Sequence, residues 1–124
     1  MIKGMEDIYE LGTVRFFKVP GVKIAGKTGT AENYVRIDGK RLQLTDHSMY
    51  VAFAPSDNPK IALSVLVENG HYGAIWAARI ASLMIEKYLN GEITRTDIED
   101  FILNGSLEHE YEKPYSDQPF LINQ

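Results

Sequence analysis

Apolar and polar positions alternate along the chain in segments of different period. Ile2, Met5, Ile8 and Tyr9 recur at helical spacing, with Lys3, Glu6, Asp7 and Glu10 on the other side. That predicts a short amphipathic helix over 2–10, ended by Leu11-Gly12-Thr13. Pro20-Gly21 turns the chain into a strand over 22–30, Val22-Lys23-Ile24-Ala25-Gly26-Lys27-Thr28-Gly29-Thr30. Tyr34-Val35-Arg36-Ile37 and Lys40-Arg41-Leu42-Gln43-Leu44 then flank Asp38-Gly39. Asp-Gly between alternating runs predicts a hairpin, because both turn positions take positive φ. Met49, Val51 and Phe53 alternate with Tyr50, Ala52 and Ala54 in a further strand. Pro55-Ser56-Asp57-Asn58-Pro59 turns the chain back into Lys60–Val67, apolar at most positions, which predicts a central strand covered on both faces.

The period then changes. Over about 74–89, Arg79, Ser82 and Glu86 form one narrow polar stripe at i, i+3 and i+7. Trp76, Ile80, Leu83, Met84 and Tyr88 lie outside the stripe, so this helix is expected to be mostly buried on a sheet. Asn90-Gly91 is its stop. Thr96-x-x-Glu99 predicts a capping box opening a last short helix, closed by Asn104-Gly105. From 105 to 124 the chain is expected to be a loosely ordered tail, with Glu108, Glu110 and Glu112 as a solvated acidic run. Short connections between consecutive strands favour antiparallel pairing. The fold class is therefore α+β: an antiparallel sheet backed by a C-terminal helix.

Composition narrows the function classes. At 124 residues the chain is at most one domain, or a piece of a larger one, and 44% hydrophobic residues suffice for a core. A net charge of −4 leaves no basic stripe for nucleic acid. With no cysteine and with His47, His71 and His109 far apart, no metal or other cofactor is expected. The longest apolar runs, such as Ile61 to Val67, fall far short of a membrane span, and acidic Glu6-Asp7 follows the start at once, unlike a signal peptide. Export or anchoring would have to be encoded upstream.

The chemistry concentrates at Lys27-Thr28-Gly29-Thr30. Two readings compete. Gly21-x-x-x-x-Gly26-Lys27-Thr28 satisfies the phosphate-loop pattern G-x-x-x-x-G-K-[ST]. That loop must bend and then open a helix toward the phosphates. Here Val22-Lys23-Ile24-Ala25 are mostly strand formers, and Gly29–Val35 carries no helical pattern. The other reading makes the segment a strand bordering a cleft. Thr28 and Thr30, two apart, share one face. Lys27 supplies positive charge, and Gly26 and Gly29 remove bulk where a ligand backbone must come close. An extended peptide with a free carboxylate suits that edge.

The succession around it is more specific than the tripeptide. Ile24 to Ala31 is followed by His47-Ser48-Met49-Tyr50-Val51-Ala52-Phe53-Ala54-Pro55, Ser56–Ala62, and Val65-Leu66-Val67-Glu68-Asn69-Gly70. With Gly12-Thr13 ahead of it and the long helix after it, this order resembles the C-terminal end of a class B penicillin-binding protein transpeptidase domain, nearest the penicillin-binding protein 2 type, over about residues 1–91. The resemblance implies a partial penicillin-binding, β-lactamase-like fold, with residues 1–104 forming a C-terminal fragment of the domain. It also implies a serine D,D-transpeptidase that cross-links peptidoglycan: the serine attacks a D-alanyl-D-alanine stem peptide, releases the last alanine and passes the acyl group to an amine. β-Lactams acylate the same serine. Such enzymes carry S-x-x-K, S-x-N and K-[ST]-G in that order.

By this resemblance Lys27 provides positive potential and Thr28, Gly29 and Thr30 bind substrate. The Thr30 N–H is one of two oxyanion donors, the other belonging to the serine, so Lys27 and Thr30 are the catalytic candidates. No serine in the chain has a lysine three positions on. Ser56-Asp57-Asn58 spells S-x-N but follows the lysine motif and sits between two prolines, as turn residues do. The chain alone is therefore expected to be inactive, its partners being the stem peptide, β-lactams and the remainder of the domain, with self-association through uncovered apolar surface. The implied location is the periplasmic side of the bacterial inner membrane, held by an upstream anchor. A non-catalytic sensor or scaffold module of the same fold is the alternative. Elsewhere, Tyr72 and Trp76 could line a groove, although a tryptophan there is more often core, and Lys40-Arg41 reads as an exposed hairpin edge.

Overall fold

A computed structural model describes residues 1–10, 12 and 14–111. Helix α1, Ile2–Glu10, ends where the Gly12 N–H donates to Asp7 O at 3.1 Å. The Leu11 and Thr13 of the expected stop lie outside the described residues. A 3-10 turn at Arg15–Phe17 leads to strand β1, Ala25–Ala31. Strands β2, Tyr34–Ile37, and β3, Lys40–Gln43, form a separate two-stranded hairpin. Its Asp38 and Gly39 adopt φ of 53° and 77°, the doubly left-handed turn that Asp-Gly permits.

Strands β4, His47–Ala54, and β5, Ile61–Val67, complete a three-stranded antiparallel sheet in the order β1-β4-β5. β4 is its centre. β5 stands at the end, with Ala62, Ser64 and Leu66 exposed, so the expectation of a doubly covered central strand at 60–67 does not hold. Its apolar run has one strand partner among the described residues, and one of its faces meets no helix.

Helix α2, Ala77–Asn90, lies across β4 and β5, and α1 packs on β1. Alternation along β4 sends Tyr50, Ala52 and Ala54 into the core, where they meet Ala77, Ala78, Ala81 and Ile85 of α2 with Val14, Phe17, Val19 and Ile24. The alanines on both surfaces let helix and sheet approach closely. Gly91, φ 80°, ends α2 with its N–H on Lys87 O at 3.1 Å, as Asn90-Gly91 predicts.

The stripe on α2 is reversed from what its composition suggests. Ser82 and Glu86 are fully buried while Met84 and Tyr88 are 50% and 63% exposed. The cause is Arg95, just ahead of helix α3, Thr96–Asn104. Its Nε donates to Glu86 Oε2 at 2.9 Å and its Nη2 to Ser82 O at 3.0 Å, which makes a buried polar stripe tolerable. α3 itself begins with Arg95 at its N-cap and no side-chain cap, so the Thr96–Glu99 capping box does not form. Glu108–Tyr111 form one further helical turn, α4, within the expected tail; 112–124 lie outside the described residues.

Candidate functional site

β1 is an edge strand among the described residues, because only β4 pairs with it. Half of its backbone N–H and C=O groups therefore point away from the sheet, as an extended peptide requires of a docking edge. The strand begins at Ala25, three residues later than the expected 22, and continues through Ala31. Continuous strand geometry through Lys27–Thr30, with no helix after it, leaves no phosphate loop.

The register sets the faces. Thr28 opposes Tyr50 and Thr30 opposes Ser48, so both threonines share the face of two buried β4 residues. Lys27 opposes Val51 and Gly29 opposes Met49 on the other face. Lys27 is exposed, and its Nζ donates to Thr28 O at 2.7 Å, which holds the ammonium against the backbone of its own strand. Gly26 lies flush against Tyr50: a Cβ there would run into the phenolic oxygen. The bare backbone is needed for packing at this position, an addition to the ligand-approach role read from the sequence.

Lys27, Thr28, Gly29 and Thr30 form one wall of an open groove of about 380 Å³, and Tyr72, Gly73 and Ala74 form the other. The second wall is pressed onto the first at one point. A Cβ on Gly73 would stand 2.7 Å from Gly29 O and 3.1 Å from Gly29 N. Tyr72, 46% exposed, thus lines the groove, as one sequence reading allowed. Trp76 does not: it stacks on Phe101 of α3 at 5.4 Å and covers Gly105.

Other sequence candidates lie elsewhere. Ser56 is held in the 55–58 turn, its Oγ donating to Glu6 Oε1 at 2.6 Å, and it does not line the groove. That bond, with Lys23 close by, holds the Glu6 carboxyl below its ordinary range. His47, half-buried, accepts the Asn69 N–H on Nδ1 at 3.0 Å. No trio of His, Asp or Glu among the described residues is placed to hold a metal. Sequence reasoning missed the residues behind the second wall: Asn33, Asp46, Asn69 and His71. Their signal was the Asn69-Gly70-His71 turn, where both flanking residues take left-handed φ of 55° and 66°.

Residues 1–86 match the family model described as the penicillin binding protein transpeptidase domain. The chain is 38% identical over 96 residues to the peptidoglycan D,D-transpeptidase MrdA of Acinetobacter baumannii, covering 72% of this chain and 14% of that protein. It is 46% identical over 80 residues to the peptidoglycan D,D-transpeptidase PbpA of Mycobacterium tuberculosis, covering 60% of this chain and 15% of that protein. Among solved structures, penicillin-binding protein A from M. tuberculosis in its imipenem acyl-enzyme complex superposes with a TM-score of 0.55 at 40% identity, over 71% of this chain and 17% of that one. The chain therefore spans roughly a seventh of the length of these curated relatives.

Proposed function

Because the chain belongs to the penicillin-binding protein transpeptidase family, of the class B, penicillin-binding protein 2-like kind, we propose that it forms the substrate-binding edge of a peptidoglycan D,D-transpeptidase domain. The observation that carries this reading is Lys27-Thr28-Gly29-Thr30 laid along an unpaired strand edge and facing a groove. A stem peptide ending in D-alanyl-D-alanine lies extended beside β1. The Lys27 ammonium attracts its carboxylate, and the Thr28 and Thr30 hydroxyls donate to it. The Thr30 N–H serves as one oxyanion donor as the serine of the remaining domain adds to the carbonyl; losing one such donor costs about 10²–10³ in rate. Breakage of the peptide bond then releases the terminal D-alanine, and the acyl group passes to an incoming amine.

The remainder of the domain supplies the serine, its lysine and the S-x-N motif. It also covers the apolar sheet face at Met49, Val51 and Leu66, and the groove between Ile61, Leu83, Met84 and Tyr88, which are open in this chain. By itself the chain has no nucleophile for acylation and self-associates through those surfaces. No helix among the described residues is long and apolar enough to cross a membrane. In this reading the anchor precedes the domain and holds it on the periplasmic side of the inner membrane.

The test is labelling with a fluorescent penicillin. A polypeptide that completes the domain upstream of this segment is labelled covalently, its Lys27→Ala variant is labelled much more slowly, and the 124-residue chain alone is not labelled. Absence of label on the completed protein makes the segment a non-catalytic binding module of the same fold. Label on the 124-residue chain alone contradicts the assignment of the nucleophile to the missing part.

A further inference from the structure

The turn that leads into the second wall of the groove has an unfavourable backbone. Asn69 and His71 both sit in the left-handed region, which side chains other than glycine rarely adopt. Between them, a Cβ on Gly70 would lie 2.8 Å from the Ser48 side chain, so the segment is tightly seated as well. Such a turn keeps its shape only when its surroundings specify it.

They do so through four polar contacts, three of them from the consecutive residues 46–48, where the chain enters β4. The Asp46 carbonyl accepts the His71 N–H at 2.9 Å, His47 Nδ1 accepts the Asn69 N–H at 3.0 Å, and Ser48 Oγ donates to Tyr72 O at 2.9 Å. The fourth comes from Asn33, two residues beyond the end of β1. Its Nδ2 donates to Asn69 Oδ1 at 2.7 Å and to Thr45 O at 3.1 Å. Asn33 is fixed in turn, its N–H on Asp46 Oδ1 at 3.2 Å and its carbonyl accepting Gln43 Nε2 at 2.9 Å. The base of the β2–β3 hairpin is thereby tied to the turn that leans on Gly29.

We propose that Asn33 and His47 are positioning residues for the groove: by gripping Asn69 from two sides they hold the Tyr72–Gly73 wall at a fixed distance from Lys27–Thr30. The inference rests on the substrate-groove reading above and adds residues to it that touch no substrate. Ser48 is less suited to the role, because its hydroxyl also accepts the Ala77 N–H at 3.2 Å and so serves the start of α2. The second bond of the Asn33 side chain, to Thr45 O, stays at the hairpin base, outside the core cluster. A wall displaced by about 1 Å costs as much as 10²-fold in rate at a site that works by alignment.

Three variants separate positioning from bulk stability. Asn33→Ala removes the donor without placing a second charge beside Asp46. His47→Phe removes the acceptor, and His47→Asn keeps an acceptor close to the Nδ1 position. In the 124-residue chain, hydrogen exchange of the Asn69 and His71 amides is expected to accelerate about tenfold in Asn33→Ala and His47→Phe. His47→Asn is expected to stay near the parent. In the completed transpeptidase, penicillin acylation is expected to slow about tenfold or more in the first two variants through weaker alignment, with recovery in His47→Asn. Unchanged exchange in both removal variants overturns the clamp. Faster exchange with undiminished acylation overturns its positioning role. A parent that is never acylated refutes the transpeptidase reading instead, and the exchange data then decide the clamp independently. If His47→Phe does not fold, Asn33→Ala decides alone: unchanged Asn69 and His71 exchange in it overturns the clamp.

Discussion

Replacing Arg95 by Met should destabilise the chain strongly, because it strands a carboxylate in the core. Glu86 is 0% exposed. Its Oε1 accepts the Thr94 N–H at 3.0 Å and the Thr94 hydroxyl at 2.8 Å, and its Oε2 accepts Arg95 Nε at 2.9 Å. The guanidinium also donates to Phe17 O at 3.0 Å and to Ser82 O at 3.0 Å, so it ties α2, α3 and the 15–17 turn together. In Arg95→Met, Thr94 still solvates one carboxylate oxygen, but the counter-charge is gone. Breaking a buried pair from one side costs about 3–5 kcal/mol. The Arg95 side chain is 13% exposed, so some water can reach the gap, and the lower half, about 3–4 kcal/mol, is expected. Against a total of about 5–15 kcal/mol that is a large fraction. The melting temperature should fall by about 10–15 °C in a chain of this size.

The pH dependence gives the prediction its sign. In the parent, burial pushes the Glu86 carboxyl up, but the two Thr94 bonds and Arg95 outweigh it and hold it below its ordinary value. A depressed folded value contributes stability above the unfolded value of about 4.3, lost as pH falls through the folded one. Without Arg95 the burial effect prevails, the folded value rises, and the penalty is relieved as Glu86 protonates. The gap between parent and variant should therefore narrow from pH 7 to pH 4. Urea titration followed by fluorescence of Trp76, the single tryptophan and a residue stacked on Phe101 of α3, reads this interface directly. A loss under about 1 kcal/mol at pH 7, or a gap constant with pH, refutes the reasoning. In the double variant Glu86→Leu/Arg95→Met the orphan charge is gone, and roughly half of the lost stability should return.

Two further outcomes are expected. Gly26→Ala drives a Cβ into the Tyr50 hydroxyl and to 2.5 Å from the ring carbon that bears it, where Tyr50 is 1% exposed, and should cost about 1–3 kcal/mol in a thermal melt; in a Tyr50→Leu background, which lacks both atoms, the added cost should be much smaller, and an equal loss in both backgrounds rejects the clash. Ser56→Ala removes the strongest contact holding the Glu6 carboxyl down, so its NMR titration midpoint should move up toward the ordinary carboxylate range, and an unmoved midpoint excludes that cause.

What was legible in the sequence was local. Asp38-Gly39 and Gly91 specify their own backbone angles, and both appear where the residues place them. The lysine strand was legible because Val22–Ala25 are mostly strand formers where a phosphate loop would bend, and no helical pattern follows in Gly29–Val35. Its true span, 25–31, was not: Val22-Lys23-Ile24 have strand propensity, but β4 ends at Ala54 and only the Ser56 N–H, in the following turn, reaches Lys23 O, at 2.8 Å. Periodicity reports only which residues share a face, and it is silent on what that face meets. The Arg79, Ser82 and Glu86 stripe was recognised as a stripe, yet Arg95, nine residues beyond Glu86, makes it a buried seam. The apolar run at 60–67 likewise spells a core strand, although in this chain it stands at the end of the sheet. The groove shows the same division more sharply. One wall is a contiguous motif and was found from it. The other wall is set by Asn33, His47 and Asn69, which are 36 positions apart at the widest and carry no shared pattern. Each is an ordinary polar residue next to a turn or a strand end. Only folding turns them into the frame behind the wall in which Gly73 is pressed onto Gly29.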